Sequence, residues 1–406
     1  MKKSLLIIAT MDTKGKEAGF IRDCALEEGI NPILMDIGTL NEPFINAHIA
    51  NYEVAREGGY DLKTIKDKRD RLWAVRAMEE GGAKVVERLF KDRKIDGVLG
   101  MGGGTGTAIS SYIMRQLPFG FPKVIISTVA SRDIREYIKT KDIVMFHSVA
   151  DLLGFNDFIR KILRQATKAV CGMIKEGYEI KDSKPMVAVT AYGVSSACAM
   201  NAESLLEKRG YEMIGFHANG IGGMAMEEMI GQGIITGVLD FTPHEIADDM
   251  YGGYCRGIGP ERFETAGKMG IPLVFAPGGL DNAVFSPTYP MPDSLKGRRI
   301  HTHDIRFCVR MEREEMVAFA RILGDKFNRS KGPIYILVPL KGWSEADREG
   351  MELYDPEVDR IFVYELRKIL RNNIPIEEID CHISDPVFAE RAVDILDSML
   401  NKDKKF

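Results

Sequence analysis

A glycine-rich segment is the part of this sequence whose residue types and spacing point most directly to chemistry. Five glycines lie between Gly100 and Gly106, and Thr105 and Thr107 are interspersed with them. Because glycine has no Cβ, a ligand can approach the backbone closely, and a helix starting here would direct free amides and its positive end towards an anion. The segment matches neither the G-x-G-x-x-G fingerprint nor the lysine-containing P-loop motif. It predicts a phosphate-binding loop, and a ligand-free strand-to-helix turn is the alternative.

Polar residues in other loops of the first half could complete this phosphate site, because ligands of doubly wound folds bind beyond the carboxyl ends of the strands. Lys14 could pair with a phosphate or a carboxylate, and Asp12 could cap a helix or help to bind a cation. Asp36 ends a predicted strand, where an acidic residue often binds ribose hydroxyls, and a cap or turn residue is the alternative. Thr128 and Ser131 could donate hydroxyl hydrogen bonds to a phosphate.

The second half carries a denser set of ionisable residues at predicted strand ends. The loop from His217 to Gly223 precedes a helix, and its backbone amides could form a second anion site. Histidines titrate near neutral pH and carboxylates can be tuned towards it, so residues of both types are candidates for general acid–base catalysis. We predict acid–base or substrate-positioning roles for His217, Asp240, Glu245, Asp281 and His301.

A metal site is an alternative role for His301, together with the nearby His303. His301 and His303 are two residues apart on a predicted strand, which places them on one face. With Glu245 or Asp281 they could bind a metal ion, whereas hydrogen-bonded histidines at a strand end would give the same pattern. No second clustered motif supports the metal, so no metal ligands are assigned from the sequence.

Alternating strands and helices must position these loops. Strands of continuous apolar residues, such as Ser4–Ala9 and Ile95–Leu99, lie between helical segments, which is typical of a parallel sheet covered on both faces. The pattern restarts after the polar stretch from Glu179 to Pro185, and similar landmarks recur in the same order. The sequence therefore predicts an α/β protein with two successive Rossmann-like doubly wound domains of mostly parallel sheet and related topology. Residues 1–182 would form the domain with the glycine-rich phosphate loop, and residues 183–406 a second domain with the substrate site.

Composition and charge narrow the classes of partner. The 55 Lys and Arg residues against 59 Asp and Glu residues give a net charge of −4, without the basic excess typical of nucleic-acid binding. No segment approaches the roughly 20 apolar residues of a membrane span. The six cysteines have no zinc-binding spacing and no signal peptide is evident, so we expect buried free thiols and a cytoplasmic location.

Several long motifs of this chain resemble, in order, those of one protein family. They are Ala9–Glu17, Gly100–Thr107, Ser127–Ser131, Phe216–Gly223, Asp240–Asp248 and Ala276–Asp281. They are similar to the motifs of the uncharacterised UPF0261 family, which resembles the N-terminal inhibitory domain of the tomato mosaic virus resistance protein Tm-1. The resemblance spans nearly the whole sequence, and it implies two Rossmann-like subdomains, ATP binding in the first and a tendency to form homodimers.

The resemblance also implies which residues would bind the nucleotide. By position in the family's loops they would be Asp12, Thr13, Lys14, Gly102, Gly103, Gly104, Thr105, Gly106, Thr128 and Ser131. Loop position adds Asp36 and Thr107 to this set.

Three hypotheses about function follow. The leading one is a cytoplasmic enzyme that binds ATP and Mg²⁺ on the glycine loop and acts on a small carboxylated or phosphorylated metabolite in a cleft between its domains. The second is a non-catalytic module whose ATP-dependent closed state is recognised by a partner protein, as the antiviral relative suggests. The third is a metal-dependent hydrolase that uses His301 and His303, with a purely structural glycine loop. We expect neither nucleic acid nor a membrane as a partner.

Overall fold

The chain divides into two units, Met1–Ile180 and Lys181–Phe406, each built around its own parallel sheet. The computed structural model describes residues 2–177 and 184–401. Its α/β architecture confirms the prediction of two Rossmann-like, doubly wound units. The predicted boundary between residues 182 and 183 lies outside the described residues.

A five-stranded parallel sheet organises the first unit, with the strand order β2-β1-β3-β4-β5. The strands are β1 (Ser4–Ala9), β2 (Asn31–Asp36), β3 (Gly97–Gly102), β4 (Lys123–Ser127) and β5 (Val144–His147). Every residue of β1, β3 and β4 is buried, as continuous apolar runs covered on both faces should be. The strand order reverses direction between β1 and β3, and ligands of such sheets bind at this switch point.

Helices cover both faces of the first sheet. They are α1 (Met11–Glu27), α2 (Asn51–Gly58), α3 (Leu62–Lys68), α4 (Arg71–Lys91), α5 (Gly104–Met114), α6 (Arg135–Ile138) and α7 (Asp157–Glu176). Successive strand residues point to opposite faces, so Leu6 and Ile8 join the core under α4 and α5. Leu5 and Ile7 join the core under α1 and α7.

The second unit repeats this plan with a six-stranded parallel sheet in the order β14-β13-β9-β8-β6-β7. The strands are β6 (Met186–Ala191), β7 (Glu212–His217), β8 (Ile235–Asp240), β9 (Leu273–Phe275), β13 (Ile334–Pro339) and β14 (Ile376–Ile379). In chain order, its first five strands occupy the same places as β1 to β5 in the first sheet. The two halves therefore share the related topology that the recurring landmarks predicted.

A small antiparallel sheet with the order β10-β12-β11 is inserted between β9 and β13. Its strands are β10 (Asn282–Phe285), β11 (Ile300–Thr302) and β12 (Phe307–Arg310). The sequence pattern predicted only the strand around His301, because strands of three or four residues carry little periodicity. His303 lies beyond the end of β11. The prediction that His301 and His303 lie on one face of a strand was therefore wrong.

Helices also flank the second sheet. They are α8 (Ser196–Lys208), α9 (Ile221–Gly231), α10 (Glu245–Tyr251), α11 (Thr265–Met269), α12 (Arg313–Asn328), α13 (Pro356–Ile369) and α14 (Pro386–Leu400). All six cysteines are buried and unpaired, as predicted. Among residues 2–177 and 184–401, no helix combines the length and apolar character that a membrane crossing requires.

Candidate functional site

A cavity of about 660 Å³ opens in the first unit where β1 and β3 end. Its walls come from the segments that follow β1 and β2, from the glycine loop, and from the junction of α3 with α4. The lining residues are Thr10, Asp12, Thr13, Lys14, Ile37, Thr39, Leu40, Ile65, Lys66, Arg69, Asp70, Arg71, Ala74, Val75, Gly102, Gly103, Gly104, Thr105, Gly106 and Ile109. The cavity thus lies at the switch point, where the fold favours ligand binding.

The glycine loop supplies the floor of this cavity. β3 ends at Gly102 and α5 begins at Gly104, with Gly103 as an N-cap residue that has no capping side chain. The first backbone bond of the helix runs from the amide of Thr107 to the carbonyl of Gly103, at 2.9 Å. The amides of Gly104, Thr105 and Gly106 precede that bond and therefore have no acceptor within the helix. They form the positive end of α5, which suits an anion.

Packing explains only some of these glycines. A Cβ on Gly102 would lie 2.7 Å from the Cα of Gly106, and one on Gly106 would lie 2.9 Å from the carbonyl oxygen of Met101. A Cβ on Gly103 would meet its nearest atom at 3.6 Å, and one on Gly104 would meet nothing within 4 Å. Neither has positive φ, so the fold tolerates a side chain at both positions. Glycine at both positions leaves the backbone open to close approach by a ligand.

Cationic side chains surround the open end of the loop. Arg71 donates a hydrogen bond of 2.6 Å to the hydroxyl of Thr105, and Lys66 pairs with Glu42 at 3.4 Å. Arg69 lies between α3 and α4 with a left-handed φ of 52° and is exposed. Lys14 also lines the cavity, although its ammonium donates to the carbonyl of Leu152. Sequence reasoning found only Lys14; the basic run before α4 was the available signal for the others.

Four residues of the predicted nucleotide set do not line the cavity. Asp36 is 1% exposed and accepts hydrogen bonds from the amides of Met11 and Gly38, at 2.9 and 2.8 Å, and burial raises its pKa. It holds the loops after β1 and β2 together, which corrects the ribose-binding interpretation. Thr107 is buried against Ser127, with 2.7 Å between their hydroxyl oxygens. The amide of Thr128 bonds to the carbonyl of Gly102, and Ser131 is exposed in the same loop.

Asp12 lies in the cavity wall but is partly committed to the fold. One of its carboxylate oxygens accepts hydrogen bonds from the amides of Leu40 and Asn41, at 2.9 and 3.1 Å. Thr13 lies beside it, and its hydroxyl is 2.7 Å from that of Thr10. Eight of the twelve predicted residues therefore line one cavity, namely Asp12, Thr13, Lys14 and the five residues from Gly102 to Gly106.

Two of the predicted catalytic carboxylates surround a buried arginine of the second unit. Arg262 is fully buried; its guanidinium pairs with both oxygens of Asp240 and donates to Glu245 at 2.9 Å. Glu227 lies 3.8 Å away and accepts from backbone amides. Burial raises the pKa of Glu227 and Glu245. Since Asp240 and Glu245 are 1% and 0% exposed, this geometry favours a structural ion cluster over direct contact with substrate.

The same cluster fills the second predicted anion site. The amide of Gly220 donates to Glu245 at 2.6 Å, and the amide of Gly222 donates to the side chain of Asn219 at 3.1 Å. A Cβ on Gly223 would lie 2.7 Å from both Arg262 and Glu245. These glycines therefore make room for the buried ion pair, so the loop does not present a free set of amides to an anion.

Asp281 is also enclosed by the fold. It is 0% exposed and accepts hydrogen bonds from Ser344 at 2.7 Å and from Asn282 at 2.9 Å. Burial, followed by the charge of Asp347, raises the pKa of Asp281 to about 6. Arg310 pairs with Asp347 at 3.4 Å beside it. This second polar cluster fixes the inserted sheet to the loop after β13.

The other two predicted catalytic residues, His217 and His301, meet in a pocket of about 220 Å³. The pocket is lined by Tyr192, Gly193, His217, Val284, His301, His303, Arg306, Cys308, Glu345 and Ala346. Burial, followed by the charges of His244 and Arg306, lowers the pKa of His217, which favours the neutral imidazole of a proton acceptor. His301 pairs with the exposed Glu352 at 2.9 Å. Within the described part of the chain, neither His301 nor His303 belongs to a group of three close metal ligands.

Comparison with known proteins identifies relatives along the whole chain. The N-terminal domain of the uncharacterised protein family UPF0261 matches residues 3–179, and its C-terminal domain matches residues 184–400. A UPF0261 protein of Clostridium tetani is 39% identical over 405 residues, which cover 99% of this chain and 100% of that protein. A UPF0261 protein of Rhizobium meliloti is 35% identical and covers 96% of this chain and 98% of its own. The tomato (Solanum lycopersicum) ToMV resistance protein Tm-1 is 37% identical over 312 residues, or 75% of this chain and 41% of the tomato protein.

Proposed function

The chain belongs to the UPF0261 family, and from the geometry of its first unit we propose that it binds ATP, with Mg²⁺, on the glycine loop. The observation that carries the proposal is the pair Gly103 and Gly104. Neither packing nor backbone conformation requires glycine at these positions, yet both line the cavity at the free amino end of α5. A triphosphate is an anion that such a surface accommodates.

The other residues that line the cavity include suitable partners for the phosphates, the Mg²⁺ ion and the base of a nucleotide. Arg71, Lys66 and Arg69 provide cationic partners for phosphate oxygens next to the free amides. The carboxylates in the wall are Asp12 and Asp70; Mg²⁺ is commonly held by one or two carboxylates together with substrate phosphates, so the donors suit it. Apolar side chains are available for the base and are Ile37, Leu40, Ile65, Ala74, Val75 and Ile109.

The second unit supports an enzyme more than a simple binding module. Its pocket holds His217, His301 and Arg306, a set that can position a small carboxylated or phosphorylated metabolite and move a proton. His217 is the proposed base, because burial lowers its pKa and favours the neutral ring. In this scheme Asp240, Glu245 and Asp281 support the pocket from the buried clusters and do not touch the substrate.

Calorimetric titration of ATP, with and without Mg²⁺, tests the nucleotide site. Gly103→Asp places a carboxylate where phosphate is proposed, and we expect it to abolish the saturable binding of the wild type. Gly172→Asp is the matched control, because Gly172 is an exposed helical glycine with nothing within 4 Å of an added Cβ. Equal affinity for ATP in both variants, or no ATP binding by the wild type, would show that the loop is a strand-to-helix turn without a nucleotide site.

A non-catalytic, nucleotide-dependent module is the second candidate, and the similarity to the tomato resistance protein favours it. The two proposals differ in turnover. An enzyme should release ADP or a modified metabolite when carboxylic-acid and phosphate-ester substrates are supplied, and His217→Ala should stop it without changing ATP affinity. Tight ATP binding with no turnover on any such substrate would favour the module.

A further inference from the structure

A second set of buried polar residues lies at the start of α10, apart from the ion clusters described above. His244 and Asp248 are four residues apart, which places them on one side of the helical turn. After α10 the chain turns back through Gly252, whose φ is 68°, and brings Cys255 to the same place. The ligand atoms of His244, Asp248 and Cys255 all lie within 4.8 Å of one another, and all three residues are buried.

The hydrogen bonds of His244 leave a conflict in this cluster. Its Nε2 lies 2.6 Å from the carbonyl oxygen of Ala218, which can only accept, so Nε2 carries the proton. Nδ1 then faces the Oδ2 oxygen of Asp248 at 3.2 Å, and these two buried atoms can bond to each other only if the ring also carries a proton on Nδ1. In a neutral imidazole, Nδ1 presents a lone pair to a carboxylate lone pair. A second proton on the ring or a cation bound by both atoms removes the conflict, since two unpaired buried acceptors would be costly.

The surroundings hold these side chains in the orientation that metal ligands need. A histidine that binds a metal through one nitrogen usually donates its other N–H to a carbonyl or carboxylate, as His244 donates to Ala218. The second oxygen of Asp248 accepts from the amide of Val284 at 3.0 Å. A Cβ on Gly253 would lie 2.2 Å from that oxygen, so glycine is required for the chain to pass it.

We propose that His244, Asp248 and Cys255 bind a zinc ion. Imidazole nitrogen, carboxylate oxygen and thiolate sulfur are the donors that Zn²⁺ accepts in proteins. A carboxylate and a thiolate together neutralise its two positive charges, which suits a fully buried site. Three protein ligands with a fourth position open to water or substrate are typical of catalytic zinc.

The proposed zinc site lies close to the pocket of the second unit. The ring of Tyr192 packs on His244, with 4.3 Å between centroids, and on His217, with 5.1 Å. Tyr192 and His217 both line the 220 Å³ pocket of the second unit. The zinc would therefore lie within one side chain of the proposed substrate pocket. The inference does not depend on ATP binding in the first unit, and it uses residues other than the histidine pair at 301 and 303.

Metal analysis of the full chain tests this proposal directly. Protein dialysed against micromolar Zn²⁺ and then against metal-free buffer should retain about one zinc per chain. Replacing Zn²⁺ with Co²⁺ should give the absorption of a cobalt–thiolate bond, which reports Cys255 without any activity assay. No retained zinc in the wild type, or cobalt binding without the thiolate band, would overturn the assignment in favour of a metal-free imidazolium–carboxylate pair.

Variants identify the ligands. Cys255→Ala and Asp248→Asn should each reduce zinc retention by at least tenfold, whereas Cys198→Ala should retain it, because Cys198 is equally buried and outside the cluster. Full retention of zinc by Cys255→Ala would contradict the proposal. If the variants fail to fold, the cobalt spectrum of the wild type and a fall in its melting temperature on chelation decide the question. Calorimetric titration with ATP is a separate measurement, so a failure of the zinc proposal can be distinguished from a failure of the nucleotide site.

Discussion

Replacing Arg262 with methionine should destabilise the second unit strongly, because the arginine is the shared partner of three buried carboxylates. Asp240, Glu245 and Glu227 carry three negative charges against one positive charge, so Arg262→Met changes the formal charge of the cluster from −2 to −3. Removal of one partner from a buried ion pair typically costs about 3–5 kcal/mol. We expect a loss in that range, since the guanidinium here contacts Asp240 through two nitrogens and Glu245 through a third.

Urea unfolding of the full chain provides the assay. Trp343 is buried in the second unit, and Trp73 is the other tryptophan of the chain, so a Trp73→Phe background leaves a single reporter. The loss should be larger at pH 8 than at pH 5.5. Burial already raises the pKa of Glu227 and Glu245, and protonation at the lower pH removes part of the uncompensated charge.

Arg329→Met is the matched control, because Arg329 pairs with Glu264 at 2.6 Å but its side chain is 61% exposed. Exposed pairs contribute about 0–1 kcal/mol, so the control should unfold almost as the wild type does. A loss below about 1 kcal/mol for Arg262→Met, or the same loss at both pH values, would refute the assignment of Asp240 and Glu245 to a structural cluster. It would return both carboxylates to the list of catalytic candidates.

Three further predictions follow from the two units. Gly104→Ala should change the free energy of unfolding by less than about 1 kcal/mol and should weaken ATP binding. Gly106→Ala should destabilise the first unit, because the added Cβ would lie 2.9 Å from a carbonyl oxygen. Urea titration measures the change in stability, and calorimetry measures the change in ATP affinity. Arg71→Ala should weaken ATP binding about tenfold, or roughly 1.4 kcal/mol, without changing the unfolding midpoint. The raised pKa of Asp281, about 6 against 3.8, means that the folded state binds this proton more tightly. The contribution of Asp281 to the free energy of unfolding should therefore fall by about 3 kcal/mol as the pH rises from 3.8 to about 6. Urea titrations at successive pH values should show this decrease in the wild type and not in Asp281→Asn.

The sheets and the strand-to-helix change at the glycine loop could be predicted from the sequence because their signals are local. Ser4–Ala9 is an uninterrupted apolar run, and such runs form strands covered on both faces. The glycines from Gly102 to Gly106 mark the change from strand to helix, and the structure places that change there. The repeated order of landmarks also predicted that both sheets share a topology.

Side-chain partners across long stretches of sequence could not be predicted in this way. Asp240 is 22 residues from Arg262, and no periodic pattern shows that the carboxylate would be neutralised by a buried cation. A buried ionic carboxylate and a catalytic one look alike in a sequence, since both follow a strand in a polar loop. Arg71 likewise reaches Thr105 across 34 residues, through the packing of α4 against α5.

Crystal structure determination with a non-hydrolysable ATP analogue and Mg²⁺ tests the central claim most directly. We expect phosphate oxygens within hydrogen-bond distance of the amides of Gly104, Thr105 and Gly106, with Arg71 turned from Thr105 towards the phosphates. An analogue bound elsewhere on the chain, or a glycine loop free of nucleotide at saturating concentration, would contradict the account.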